Sequence, residues 1–549
     1  MSNEYGGECH CELCQEAFRQ WLRRRYHGDL AALNDAWWAA FWSHTFTDWR
    51  QVESPSPRGE PQLPGLTLDW KRFVTDQTVD FMLGEIAPLR EAAPNVPLTT
   101  NMMGTYPGLD YRKFAPHIDV ASWNSYPSWH GTGPLFDGGF PWDPRGRDWR
   151  IAADTAFTHD LMRSLKGGQP FLLMESTPTF SNWHAVWKPK RPGVHALSSL
   201  LAVAHGADSV QYFQWRASPG GTEQFHGAVV GHAGPEANRV FGEVSALGRL
   251  IEQLRAVAGT TVSVETAIVF EWENRWALET AGLAPAAGSG GCVAACARHH
   301  FPLWAMGIPV DVIDMERGLS PYRLVVAPML AMIKPGFVER LEAFVRAGGT
   351  AVLTCRSGIL DEHGRCFRGG FPGPLRSLLG VVIEETDGLY PEERNAIVAA
   401  PRNGAGLKGA YEVRGTCDVL RPEGARVIAT YRDDFYRGRP ALTAHSLGDG
   451  RALYIGADAD ERFLADFYRG AAARLGLRRA TSSPLPEGVG AQVRTDGSRE
   501  YMFLLNFSPK RRTVVLDRRE YRDIAAGKRT ARHIALDGYG YRVLESGHG

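Results

Sequence analysis

Glu175 closes the apolar run Pro170-Phe171-Leu172-Leu173-Met174 and is followed by Ser176-Thr177-Pro178. A carboxylate at the point where a buried strand runs into its C-terminal loop stands where parallel α/β barrels carry their chemistry. A loop acid or a helix cap is the alternative. Glu4, in Asn3-Glu4-Tyr5-Gly6-Gly7, has almost nothing before it and by itself is a terminal acid. Two carboxylates at strand ends among indoles suit glycoside hydrolysis, where one acid protonates the leaving oxygen and the other attacks the anomeric carbon. Trp183 and Trp187 lie just beyond Glu175. Indoles can stack on the apolar face of a sugar, and packing within a loop explains either one as well. Glu223 and His226, three apart, could hydrogen-bond sugar hydroxyls or form a surface ion pair.

Cys9, Cys11 and Cys14 crowd into six positions. Three thiolates at that spacing suit a tetrahedral Zn²⁺, while redox chemistry is the competing reading. His10 is a further donor by type, but a neighbour of two ligating cysteines rarely points the same way. The eight cysteines of the whole chain are too few for a disulfide framework.

The elements that must position these groups fall into three stretches. From 1 to 258, apolar strands near 98–102, 118–123, 170–175 and 209–215 alternate with helical patterns near 70–92, 152–166 and 193–205, an α/β rhythm. From 262 to 478 a second α/β unit follows, with strands near 266–270, 323–328, 350–354 and 451–456 and helices near 335–347 and 460–475. The small-residue run 284–291 reads as a loop inside it. From 486 to 549 short alternating runs mark a small β domain.

Composition narrows the partner. The 61 Lys plus Arg balance 61 Asp plus Glu, so nothing electrostatic favours nucleic acid or an anionic membrane. No apolar stretch approaches the roughly 20 residues of a membrane span, and the first residues lack a secretory pattern, so a cytoplasmic location is expected.

Several segments together resemble the family 42 glycoside hydrolases, the microbial β-galactosidases. They are Asn3-Glu4-Tyr5-Gly6, the cysteine cluster with Gln15-Glu16-Ala17-Phe18-Arg19, Leu33-Asn34-Asp35-Ala36-Trp37 and Ala40-Phe41-Trp42-Ser43. Further on come Trp123-Asn124-Ser125-Tyr126-Pro127, Met174-Glu175-Ser176-Thr177-Pro178, Lys188-Pro189-Lys190-Arg191-Pro192-Gly193 and Phe213-Gln214-Trp215-Arg216, in the family's order. The resemblance implies a catalytic (β/α)8 TIM barrel, an amidotransferase-like α/β domain used for trimer contacts, and a small C-terminal antiparallel β domain. It implies Glu4 as general acid/base with Asn3 beside it, and Glu175 as nucleophile of a retaining β-galactosidase. Tyr126, Trp183, Glu223 and His226 would line the galactose subsite, and Trp42 would reach a neighbouring subunit's site within a homotrimer. Cys9, Cys11 and Cys14 would hold a structural Zn²⁺, and no cofactor takes part in catalysis.

In the family the Asn-Glu pair closes the fourth barrel strand, so the resemblance implies nearly four strands ahead of it. Only Met1 and Ser2 stand there, and Met1 is expected to be an internal methionine of a longer protein. The fourth zinc ligand and an arginine that binds substrate, which the family draws from that upstream part, have no match here. A half barrel leaves open strand edges, so the competing reading is an inactive, truncated barrel kept as a sugar-binding or assembly module. An amidotransferase reading fails, because Cys355 leads into Arg356-Ser357-Gly358, which does not resemble a nucleophile elbow. Cys355 reads as a buried structural thiol.

Overall fold

The computed structural model describes residues 1–55, 63–131, 147–235, 238–283, 291–517 and 520–547. The predicted loop at 284–291 lies, but for Gly291, outside these. The first stretch contains helices α1 (Glu12–Arg25), α2 (Leu30–Ala36), α3 (Pro64–Ala92), α4 (Arg147–Leu165), α5 (Val194–Ala204) and α6 (Arg239–Gln253). Between them run strands β1 (Asn101–Met102), β2 (Ser122–Ser125), β3 (Phe171–Ser176) and β4 (Ala207–Val210), parallel and hydrogen-bonded in chain order. The N-terminal segment runs beside β1, where Thr100 Oγ1 donates to the Ser2 carbonyl at 3.0 Å and the Glu4 amide donates to Asn101 Oδ1 at 3.1 Å.

The observed strands are shorter than the apolar runs, and β4 ends before the aromatic stretch expected to extend it. Gln211 and Phe213 still bond to β3, their amides donating to the Leu173 and Ser176 carbonyls, and beyond them the chain runs on as a loop.

The middle stretch is built on strands β5 (Thr266–Val269), β6 (Asp311–Ile313), β7 (Leu324–Ala327) and β8 (Thr350–Thr354), all parallel, with Gly450–Ile455 parallel to β8. Helices α7 (Trp272–Thr280) and α8 (Gly291–Ala305) pack between this sheet and the first stretch. Beyond Gly450–Ile455 the sheet continues through antiparallel strands, Ala410–Pro422 among them, that the apolar rhythm does not announce. The last stretch pairs Val489–Thr495, Arg499–Asn506 and Tyr541–Gly547 antiparallel. Among the described residues no helix is long and apolar enough to cross a membrane.

Helix α4 sits where the three stretches meet and is buried on every face, charges included. A buried charge survives only when paired. Asp160 therefore accepts from Arg163 at 2.5 Å and engages His205 at 2.8 Å and His300 at 2.9 Å. Burial alone would raise its carboxyl, but His205 and Arg163 hold it well below the usual carboxylate range.

Candidate active site

β3 delivers Glu175 to the end of the parallel sheet, where Asn101 of β1 and Asn124 of β2 reach it from the neighbouring strands. Asn101 Nδ2 donates to Glu175 Oε1 at 3.0 Å and to Asn3 Oδ1 at 2.6 Å. Tyr126, just past β2, donates its hydroxyl to Glu175 Oε2 at 2.7 Å. The Asn124 amide donates to Glu4 Oε1 and also stands beside Glu175. One amide thus lies between the two carboxylates. Glu4 occupies the left-handed region, at φ 47°, and its backbone is pinned by the bond to Asn101.

Burial, chiefly, raises the Glu175 pKa, and the charge of Glu4 adds to that effect. The bonds from Tyr126, Asn124 and Asn101 oppose it by favouring the anion. The Tyr126 hydroxyl, itself partly buried and facing that carboxylate, is raised far above the ordinary phenol value and stays a donor.

A second wall stands across from the carboxylates. Trp183 packs edge-on to Tyr126 with ring centroids 5.2 Å apart, and His226 does the same from another side at 5.7 Å. Burial, followed by the charge of His184, pushes the His226 imidazole down to about 4, so it is neutral near pH 7. Its Nδ1 lies 3.3 Å from Asn182 Oδ1 and 4.0 Å from Glu223 Oε1, while its buried Nε2 makes no side-chain hydrogen bond among the described residues. Glu223 is partly exposed. Trp183 is 54% exposed although His184 and Tyr126 pack against its ring, which leaves much of the indole accessible.

The structure therefore brings Asn3, Glu4, Tyr126, Glu175, Trp183, Glu223 and His226 together. Trp42 stands apart: it is 66% exposed, stacks on Phe41 at 5.0 Å, and makes no described ring contact with the carboxylate cluster. Asn101, Asn124 and Asn182 were not singled out by sequence reasoning as site residues. For Asn101 and Asn124 the available signal was a polar residue at or just past the end of an apolar run, which is weak without its partners, and Asn182, in the loop after β3, carried none.

The sulfurs of Cys9, Cys11 and Cys14 lie within 4.8 Å of one another. Thiolates about 2.3 Å from one tetrahedral ion stand about 3.8 Å apart, so the trio could close on a metal with little movement. His10 is turned elsewhere, with Nδ1 2.8 Å from Ser54 Oγ and its ring stacked on Trp70. Cys355 is buried, and burial pushes its thiol well above its ordinary value.

Comparison with known proteins gives three family matches in chain order: β-galactosidase over residues 1–254, β-galactosidase trimerisation domain over 264–478, and β-galactosidase C-terminal domain over 488–546. The chain is 53% identical over 545 residues to β-galactosidase BglY of Alicyclobacillus acidocaldarius, an alignment that takes in 99% of this chain and 77% of that protein. It is 46% identical over 547 residues to β-galactosidase Pbg of Clostridium perfringens, again with 99% and 77% covered. Among solved structures, the cold-adapted β-galactosidase from Rahnella sp. R3 superposes with a TM-score of 0.94 at 48% identity, covering 100% of this chain and 78% of that one.

Proposed function

Since this chain belongs to the glycoside hydrolase family 42 β-galactosidases, we propose that it hydrolyses terminal β-D-galactosides with retention, with Glu175 as nucleophile and Glu4 as acid/base. The observation that carries the reading is the pair of carboxylates beside one Asn124 amide, with Glu175 held at both oxygens. Retaining hydrolysis needs carboxyl groups only about 5–5.5 Å apart, and one amide between the two suits that spacing.

In the first step Glu175 attacks the anomeric carbon while Glu4 gives its proton to the departing oxygen. Tyr126 and Asn101 aim the attacking carboxylate and keep it anionic. In the second step Glu4, now a base, takes a proton from the water that releases galactose, as microscopic reversibility requires. Trp183 offers the sugar its exposed indole, and the neutral His226 serves a hydroxyl through Nε2. Asn3 and Glu223 complete the subsite.

The test is an NMR time course on a β-D-galactoside. The β anomer of galactose is expected first, and first appearance of the α anomer would overturn the retaining assignment. No turnover by the folded chain would favour a sugar-binding module instead.

The acid limb of the pH profile follows from the same geometry. Glu175 must be ionised to attack, and burial raises its pKa, so kcat/KM falls as pH drops through a value above that of an ordinary glutamate. Tyr126→Phe removes a bond to the anion, and the acid limb moves to higher pH. An unmoved limb would separate Tyr126 from the ionisation of Glu175.

The family's trimerisation domain supports a homo-oligomer; a homotrimer, in which Trp42 reaches a neighbouring site, is part of this reading. Cys9, Cys11 and Cys14 would hold a structural Zn²⁺, which when bound cross-links the segment leading into α1. About one zinc per parent chain and a large loss in Cys11→Ser are expected by elemental analysis; equal zinc in both would remove these thiols from the site. The eight free thiols suit a reducing compartment, so a cytoplasmic location, open to a check by cell fractionation, completes the assignment.

A further inference from the structure

Two loops frame the site beside Glu175. One follows β2 and runs from Tyr126 to Gly131; the other follows β3 and runs from Thr177 to Pro192, carrying Trp183 and His184. Both are gripped from outside the barrel stretch. Trp129, buried, stacks on Phe507 of the C-terminal β domain with ring planes 5° apart and centroids at 6.0 Å. The next residue, His130, is buried and held in the left-handed region at φ 60°, a conformation that non-glycine residues adopt only when their surroundings enforce it.

What enforces it is a run of hydrogen bonds from one domain to the other. Tyr539 of the C-terminal domain donates its hydroxyl to Asp148 Oδ2 at 2.9 Å. Asp148 Oδ1 accepts the His130 backbone N–H at 2.8 Å, and Oδ2 lies 2.7 Å from His130 Nδ1. On the far side of the ring, His130 Nε2 accepts the Arg191 backbone N–H at 3.1 Å. This last bond fixes the tautomer: Nε2 accepts, so Nδ1 carries the proton and gives it to Asp148.

The contact with the second loop is close. Gly193, at φ 87°, brings its backbone so near Tyr539 that a Cβ there would stand 2.8 Å from the Tyr539 carbonyl. Behind it, Lys190 Nζ donates to the Thr177 carbonyl at 2.7 Å, two residues from Glu175. Plain adhesion between domains needs no such arrangement. The stack of Trp129 on Phe507 already supplies apolar contact, whereas the His130 ring spends its one acceptor on a backbone N–H of the opposite active-site loop.

We propose that the C-terminal β domain is a working part of the active site: through Tyr539 and Asp148 it orients His130, which sets the loop bearing Tyr126 against the loop bearing Trp183. His130 is thus a positioning residue for hydrolysis. The proposal rests on the assignment of Glu175 and Glu4 given above.

The test compares the full chain with His130→Asn and Tyr539→Phe. Asparagine tolerates the left-handed region and can keep an N–H toward Asp148, but its shorter side chain carries no acceptor out to the position of Nε2, where the Arg191 N–H is bound. Hydrogen exchange is expected to quicken about tenfold or more in peptides covering both 126–131 and 184–192. Turnover should fall about tenfold with most of the loss in kcat, because small misplacement of positioned groups is costly. In a Tyr126→Phe background, Tyr539→Phe should cost less than about twofold more, since both act through one group.

Unchanged exchange in the two loops overturns the proposal. So does a lowered melting temperature with kcat and KM still within about twofold of the parent, which is what a merely structural contact would give. An active parent with unaltered variants sinks this inference alone. A folded but inactive parent sinks the assignment of function, and this inference with it.

Discussion

Glu175→Gln is expected to remain folded and to turn over a chromogenic β-D-galactoside on the order of 10⁴- to 10⁶-fold more slowly than the parent, the scale of losses when a covalent nucleophile is removed. Glutamine keeps the shape of the side chain and can still meet Asn101 and Tyr126. It lacks the anion that forms the glycosyl bond. Because burial makes the ionised Glu175 costly to hold, three donors surround it, and replacing the charge removes a strain from the fold. The melting temperature should therefore hold or rise while activity collapses. That opposite movement separates a catalytic carboxylate from a structural one, for which both would fall together.

The smaller variant Glu175→Ala sharpens the result. It opens space on the face from which the carboxylate attacks, and added azide can enter there. A single displacement by azide inverts the anomeric centre, so α-galactosyl azide is the expected product. Azide that restores no turnover, or that yields only the β product, would remove Glu175 from the nucleophile's place.

How far these roles could be read before the fold was known depended on the kind of signal each residue carries. Glu175 was legible because its strand is apolar throughout, a continuous hydrophobic run whose first charged residue stands at the strand's end. The parallel core of the middle stretch was legible for the same reason. Its antiparallel extension was not, since strands such as Ala410–Pro422 mix buried and exposed residues without a clean period of two. Asn101 and Asn124 gave no periodic signal at all. They act across 98 and 120 residues of chain, on Asn3 and on Glu4, and only the sheet's order brings those partners together. Tyr539 lay further from view, in a turn of a domain with no chemistry of its own.

Glu4 is the harder assignment, because position in the sequence says nothing for it, and the second large effect is designed to separate its role from that of Glu175. Glu4→Gln should lower turnover of substrates with poor leaving groups by about 10²- to 10⁴-fold, the range for a positioned acid or base. With a dinitrophenyl galactoside, whose leaving group needs no proton, the first step should survive. The second step still lacks its base, so the glycosyl-enzyme accumulates, a burst of dinitrophenol appears, and KM falls with kcat. Azide needs no base either, and it attacks the accumulated intermediate from the side where water would enter. That is a second displacement after a first, so the product keeps the β configuration. The two variants therefore answer to one reagent with opposite products, α from Glu175→Ala and β from Glu4→Gln. If the products are exchanged, the roles of the two carboxylates are exchanged as well. If Glu4→Gln shows no dependence on the leaving group, Glu4 is not the proton donor, and its bond to Asn124 serves only to hold the N-terminal segment against the sheet.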